Sequence, residues 1–129
     1  MNLPTGGERV VSEAAVRFGR LIVSTLIPST VVCDHGGSGW IMDVDVITGN
    51  RSPALDTNAD NKVDLEDYIN GRNAGGVKID SIPAAASIMR SSKPALDDKL
   101  INTSDGIIVR VRESGNKQTS RRAAWEQIR

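Results

Sequence analysis

The twelve residues 56–67, DTNADNKVDLED, place oxygen-bearing side chains at a spacing suited to binding a hard cation. Positions one, three, five, nine and twelve carry carboxylate or amide oxygens, and position seven offers its backbone carbonyl, as in an EF-hand-type loop. Calcium takes about 6–8 oxygens at about 2.3–2.6 Å, and a short winding loop can supply them. The predicted calcium ligands are Asp56, Asn58, Asp60, Lys62 through its carbonyl, Asp64 and Asp67.

Three positions decide how closely this loop matches the EF-hand pattern. Position six, ordinarily Gly, is Asn61, which tolerates the left-handed backbone that the turn requires. Position eight is the apolar Val63, and position twelve is Asp67 where the pattern has a bidentate Glu, so the coordination number stays open. The loop resembles that of dockerins, which also ends in Asp. The alternative is an Asp/Asn-rich surface loop without a metal.

A short helix is predicted directly after the loop. Leu65, Tyr68 and Ile69 recur at the spacing of one helical face. Asp64 suits the N-cap of this helix and Gly71 suits its end. The residues before the loop, 50–54, indicate a turn, so the loop lacks the preceding helix of a paired EF-hand.

The composition argues against several classes of function. The 129 residues suit one domain, 1–129, and 16 basic residues balance 16 acidic ones, so no net charge attracts nucleic acid or anionic lipid. Aromatic residues are only 3% of the chain, which argues against stacking on bases. No stretch approaches the roughly 20 apolar residues of a membrane span, and the first residues lack the features of a signal peptide. The single cysteine, Cys33, is expected to be a free, small hydrophobic residue, with pairing outside this chain as the alternative.

Runs of β-branched residues separated by turn signals predict an all-β domain, with the calcium loop and one short helix inserted between strands. Residues 9–16 and 20–27 flank a short link and predict a hairpin. Residues 39–47 predict a strand with Trp40, Met42, Val44 and Val46 on its core face. Residues 96–98 indicate a loop. Further strands are expected at 77–82, 85–90, 99–102, 107–113 and 120–128, the last with a short helix as the alternative.

Four short elements occur in order along the chain: STLIPS at 24–29, GGSGW at 36–40, D-x-x-TG at 45–49 and the ending RRAAWEQIR at 121–129. In this order they resemble the C-terminal region of the PilY family of type IV pilus biogenesis proteins and tip adhesins. The resemblance covers most of the chain apart from the calcium loop itself. It implies a modified β-propeller made of antiparallel meanders, of which this chain is the last part.

The same resemblance implies a function. It implies an extracytoplasmic location, in the periplasm, at the outer membrane or at the pilus tip, and a calcium-linked role in pilus extension, retraction, twitching motility and surface attachment. The implied partners are pilin or minor pilins and a host or abiotic surface. The resemblance does not assign the regulatory calcium site of that family to residues 56–67.

No catalytic arrangement stands out, and the chain is predicted not to be an enzyme. His35 directly follows Cys33 and Asp34, but a single histidine rules out a His-pair zinc site. No G-x-S-x-G turn aims a serine nucleophile, and the glycine-rich residues 36–39 lack the lysine of a phosphate loop. Two alternatives stay open: a dockerin-like interaction module, which ordinarily carries a second such loop, and a calcium-stabilised accessory β domain of a carbohydrate-active enzyme.

Overall fold

Regular secondary structure in the described residues is almost entirely β-strand. The structure, a computed structural model, describes residues 3, 5–31, 36–51, 55–69, 72–73, 75–92 and 95–115. Helical structure in these ranges is confined to one 3₁₀ turn, Leu65–Asp67. The all-β class is therefore confirmed. The strands are β1 (Arg9–Val10), β2 (Ala15–Arg17), β3 (Arg20–Pro28), β4 (Gly37–Asp45), β5 (Leu55–Asp56), β6 (Tyr68–Ile69), β7 (Arg72–Asn73), β8 (Gly76–Ile79), β9 (Ser87–Arg90), β10 (Leu96–Asn102) and β11 (Ile108–Ser114).

These strands form two larger antiparallel sheets. One has five strands in the order β1-β3-β4-β8, with β2 also paired to β3. The other has four strands in the order β5-β11-β10-β9, and β6 and β7 make a separate two-stranded ribbon. Both larger sheets have open ends, so the described strands close neither a barrel nor a propeller.

The predicted N-terminal hairpin is confirmed. β2 and β3 pair with Arg17 opposite Arg20, which leaves Phe18 and Gly19 as a two-residue turn. Both turn residues have positive φ, 50° and 74°, and this geometry matches the twist of paired strands. The first predicted strand is divided into β1 and β2, which pair with different parts of β3.

The hydrophobic core lies between the two larger sheets. Ile41 of β4 and Ile79 of β8 pack with Leu55, Ile101 and Val111 from the four-stranded sheet. Ile41 and Ile101 have no solvent exposure. Because burial of apolar area is the main favourable term in folding, this cluster holds the sheets face to face.

The predicted core face of β4 is confirmed only in part. Met42 and Val44 are buried as predicted, each 7% exposed, but the opposite face of the strand is buried as well. Ile41 and Asp43, which the alternation assigns to the outer face, are both 0% exposed, whereas Val46 from the predicted core face is 45% exposed. The reason is that the Asp43 carboxylate is paired inside the protein with Lys99 of β10. A charged residue can occupy an inner position when its partner arrives from the opposite sheet.

The first two strands of the predicted C-terminal meander are confirmed, and the first of them is longer than predicted. β10 begins at Leu96, so residues 96–98, predicted as loop, are strand residues paired with β11. Leu96 and Asp97 are buried, which explains why this charged stretch is ordered as strand. The predicted strand at 120–128, Cys33 and His35 lie outside the described residues. Nowhere in the described ranges is there a helix long and apolar enough to cross a bilayer.

Candidate metal centre

The predicted calcium loop begins on a sheet and ends in a capped turn. Asp56 is the last residue of β5, where it lies opposite Arg112 of β11. Asp67 ends the 3₁₀ turn. Asp56 is 6% exposed and Asp67 is 3% exposed, so the first and last predicted ligands are both buried. The loop is thus anchored at each end by a carboxylate turned into the protein.

Short side-chain turns wind the loop between these anchors. Asp56 Oδ2 accepts a hydrogen bond from the Asn61 backbone N–H at 3.0 Å. Asn58 Oδ1 accepts from Asp60 N–H at 3.0 Å, and Asp60 Oδ1 accepts from Lys62 N–H at 2.8 Å. Asn61 has φ 71°, so the left-handed backbone expected at position six is confirmed. Asx turns of this kind order polar loops without regular structure.

Asp67 organises the end of the loop. Its Oδ1 accepts from the Thr57 N–H at 2.7 Å and the Thr57 hydroxyl at 3.1 Å, and its Oδ2 accepts from the Asp64 N–H at 2.9 Å. Burial alone would raise the pKa of Asp67, but these donors outweigh burial and the pKa lies below its usual range. Asp64 completes a capping box by accepting from the Glu66 N–H at 2.9 Å, so its predicted N-cap role is confirmed.

The helix predicted after the loop is wrong beyond its first turn. The 3₁₀ turn ends at Asp67, and Tyr68 has an extended backbone with φ −84° and ψ 130°. Leu65 is 76% exposed and Tyr68 is 37% exposed, so the expected apolar face is not buried. Pairing of Tyr68 with Asn73 in the small ribbon supplies the backbone contacts that a longer helix would have made.

The predicted ligands fit a cation only in part. No group of three or more His, Cys, Asp or Glu side chains in the described ranges is arranged to hold a metal ion. The middle ligands Asn58, Asp60, Lys62 and Asp64 are exposed. Asp56 Oδ1, however, is buried and receives no hydrogen bond from any described residue. A buried, unsatisfied carboxylate oxygen is costly without a partner, and the neighbouring oxygens are of the type that calcium prefers. The buried Asp56 oxygen is thus the feature of this loop that suits a calcium ion, while the other predicted ligands are not gathered around it.

Removing the Asp67 carboxylate is expected to destabilise the protein by about 1–3 kcal/mol even in chelator, because several N–H and O–H donors would lose their acceptor. The measurement is urea unfolding of Asp67→Ala in excess chelator. The matched control is Glu66→Ala, which removes the neighbouring exposed carboxylate and is expected to change stability by less than about 0.5 kcal/mol. Equal stability of the two variants would show that Asp67 does not organise the loop.

A second group of charged residues was not predicted as a site. The side chains of Asp43, Lys99 and Glu113 are fully buried between the two larger sheets. The only sequence signal is that Lys99 and Glu113 keep the alternation of their apolar neighbours Ile101 and Val111. Period-two patterning thus places these charged residues on the inner face.

Comparison of the chain with protein-family models, with curated proteins and with solved structures found no match. Any assignment of function must therefore be argued from the residues themselves.

Proposed function

We propose that residues 56–67 bind calcium, and that the chain is a calcium-stabilised, non-enzymatic segment of an extracytoplasmic pilus-assembly or tip-adhesin protein. The observation that carries the calcium part is the buried, unpartnered Asp56 Oδ1 at the first loop position. A bound calcium would supply positive charge to this oxygen and to the loop carboxylates, which otherwise repel one another.

The residues of the loop would have different roles in binding calcium. Asp56 is fixed on β5 and presents one oxygen, because its other oxygen is held by the Asn61 N–H. Asn58 and Asp60 lie in the exposed turn that follows, and Lys62 would contribute its carbonyl. Asp67 shares its oxygens with backbone donors, so it holds the loop closed. Extracellular sites of this type function at about 10⁻⁴–10⁻³ M calcium.

The pilus part of the proposal rests on the sequence elements 24–29, 36–40, 45–49 and 121–129 and on their order. The antiparallel all-β architecture is compatible with it. In this proposal the two larger sheets are shares of propeller blades completed by other parts of a longer protein. The partners would be pilin or minor pilins and a host or abiotic surface, and the calcium-ordered loop would stiffen the segment for that contact.

The calcium site is tested by thermal unfolding of the wild type and of the double variant Asp56→Ala/Asp60→Ala, with calcium and with chelator. In the wild type, calcium at about 100 times its Kd is expected to add about 2.7 kcal/mol of stability and to raise the Tm. The double variant is expected to show no calcium-dependent rise.

The matched control for this experiment is Glu13→Ala/Asp80→Ala, which removes two exposed carboxylates outside the loop. It is expected to keep the full calcium response. An identical Tm of the wild type in calcium and in chelator would refute the metal site.

The biological part requires a separate experiment in a bacterium that carries the gene. The loop double variant and its control are placed in the full-length gene product, and twitching and surface attachment are measured with and without chelator. Loss of both activities in the loop variant alone, with normal protein level, would support the proposal. Normal twitching and attachment after deletion of the whole gene would exclude a pilus role.

A further inference from the structure

Three charged side chains meet between the two larger sheets, shielded from solvent. Lys99 of β10, Asp43 of β4 and Glu113 of β11 all have side chains with 0% exposure. Lys99 Nζ contacts Asp43 Oδ1 and lies 2.7 Å from Glu113 Oε2. One amine therefore touches two carboxyl groups that arrive from different sheets.

The remaining oxygens of this cluster lack partners. Asp43 Oδ2 and Glu113 Oε1 are buried and accept no hydrogen bond from the described part of the chain. Arg20 approaches from β3, but its nearest contact with Glu113 is 3.6 Å and its guanidinium donates to Ser114 at 3.1 and 2.6 Å. The attraction within a buried ion pair compensates for desolvation only when such groups are fully hydrogen-bonded. A reaction that removed two of the charges would relieve this cost.

Glu113 is suited to move protons in this space. Burial raises its pKa to about 7, the positive charge of Lys99 acts in the opposite direction, and the adjacent Asp43 carboxyl raises it again. At neutral pH Glu113 therefore exchanges readily between its acid and its carboxylate form. Such a group can both give and take a proton during one reaction.

We propose that Lys99 and Asp43 join in an intramolecular isopeptide bond, a covalent amide between Lys99 Nζ and Asp43 Cγ, with Glu113 as the proton carrier. The amine already contacts an oxygen of the Asp43 carboxyl group and an oxygen of the proton carrier in the folded chain. Reacting groups held in this way reach effective molarities of about 10⁵–10⁸ M. The product ties β10 to β4 and thus one sheet to the other.

The reaction balances without any other reactant. The Lys99 ammonium gives one proton to the Asp43 carboxylate, and the neutral amine attacks Cγ. Glu113 relays a second proton from the nitrogen to the hydroxyl oxygen of the tetrahedral intermediate. The C–O bond then breaks and one water leaves. An ammonium and a carboxylate are replaced by a neutral amide and water, which removes two buried charges.

The test is the mass of the purified, folded full chain. The linked protein is expected to weigh less than its sequence by the mass of one water molecule. After denaturation and trypsin digestion, a branched peptide is expected that joins residues 21–51, which contain Asp43, to residues 91–110, which contain Lys99. Trypsin is expected to leave the 99–100 bond intact, because an acylated lysine is not a cleavage site. A wild-type protein of unreduced mass would overturn the proposal.

Two variants make the mass test specific. Lys99→Arg keeps the positive charge but removes the amine, and it is expected to show the full mass and no branched peptide. If its mass were still reduced by one water, the loss would come from another reaction and the proposal would be overturned. The matched control is Lys78→Arg, which changes an exposed lysine of β8. This variant is expected to form the amide as the wild type does.

Glu113→Gln tests the proton carrier. This variant keeps the size of the side chain but cannot relay a proton, so the rate of linking after refolding is expected to fall about 10²–10⁴-fold, the usual contribution of acid–base catalysis. Circular dichroism in the β region confirms that the variant is folded. A Glu113→Gln protein that links at the wild-type rate would overturn the role of Glu113.

Discussion

Replacing Lys99 with methionine is expected to lower the free energy of unfolding by at least about 3 kcal/mol. The change leaves Asp43 and Glu113 facing each other without the cation that contacts both. Arg20 does not replace it, since its nearest approach to Glu113 is 3.6 Å. Where the amide between Lys99 and Asp43 has formed, the variant also loses a link across a sequence separation of 56 residues, about 4 kcal/mol in the chain-entropy model.

Urea unfolding measures this loss, with Lys78→Met as the matched control. Lys78 has an exposed side chain on β8 of the other sheet, so its replacement is expected to cost less than about 0.5 kcal/mol. A triple variant with apolar residues of similar size at 43, 99 and 113 is expected to regain part of the loss, because the three fully buried charges are removed together. Arg20 loses its ion pair with Glu113 in this variant but keeps its hydrogen bonds to Ser114. If Lys99→Met and Lys78→Met unfolded at the same urea concentration, the cluster would not hold the sheets together.

The parts of the fold that follow from local pattern were predicted from the sequence. The hairpin is specified by the short link Arg17-Phe18-Gly19, which separates two runs of β-branched residues. The geometry of the turn then fixes the register of the two strands. The C-terminal meander follows from the alternation in residues 107–113 for the same reason. Its extension to Leu96 was missed, because the charged residues that follow Leu96 resemble a solvated loop unless their buried partners are known.

The inner face of β4 could not be predicted from β4 alone. Asp43 is buried because Lys99 lies opposite it on another sheet, and this pairing joins residues far apart in sequence. Hydropathy alternation counts an aspartate as outward-facing, so it placed Asp43 and Ile41 on an exposed face, whereas β4 is buried on this face as well as on that of Met42 and Val44. The error occurs at the position where the structure holds its most concentrated buried charge.

The candidate metal site was predicted at the level of spacing and not at the level of geometry. The left-handed Asn61 and the N-cap at Asp64 both follow from residue type. The hydrogen bonds to the Asp67 carboxylate do not follow from residue type. Their donors are backbone N–H groups whose positions depend on the final shape of the loop. For this reason the predicted helix after Asp67 gave way to a single turn followed by a strand.

The stability of the protein is expected to fall as the pH rises from about 4.3 to about 7, because of Glu113. An unfolded glutamate loses its proton near pH 4.3, whereas burial raises the folded pKa of Glu113 to about 7. Between these values the folded state binds a proton that the unfolded state has released. The contribution is complete below the unfolded pKa, is lost as pH rises through the folded pKa and totals on the order of 4 kcal/mol.

The charged groups around Glu113 set the size of this effect but not its sign. Lys99 opposes the raised pKa and the Asp43 carboxyl reinforces it, while Arg20 lies farther away. Once Lys99 and Asp43 are joined as an amide, Glu113 loses its cationic neighbour and burial still favours its protonated form.

Urea unfolding at a series of pH values tests this, with Glu113→Gln compared with Glu66→Gln. The first variant is expected to remove the downward slope, because glutamine does not titrate. The second replaces an exposed glutamate outside the cluster and is expected to keep the slope. The difference between the two profiles isolates Glu113 from every other titrating group. Parallel profiles for the two variants would show that Glu113 is ionised in the folded protein across this pH range. Glu113 would then hold no proton that it could give to the reaction of Lys99 with Asp43.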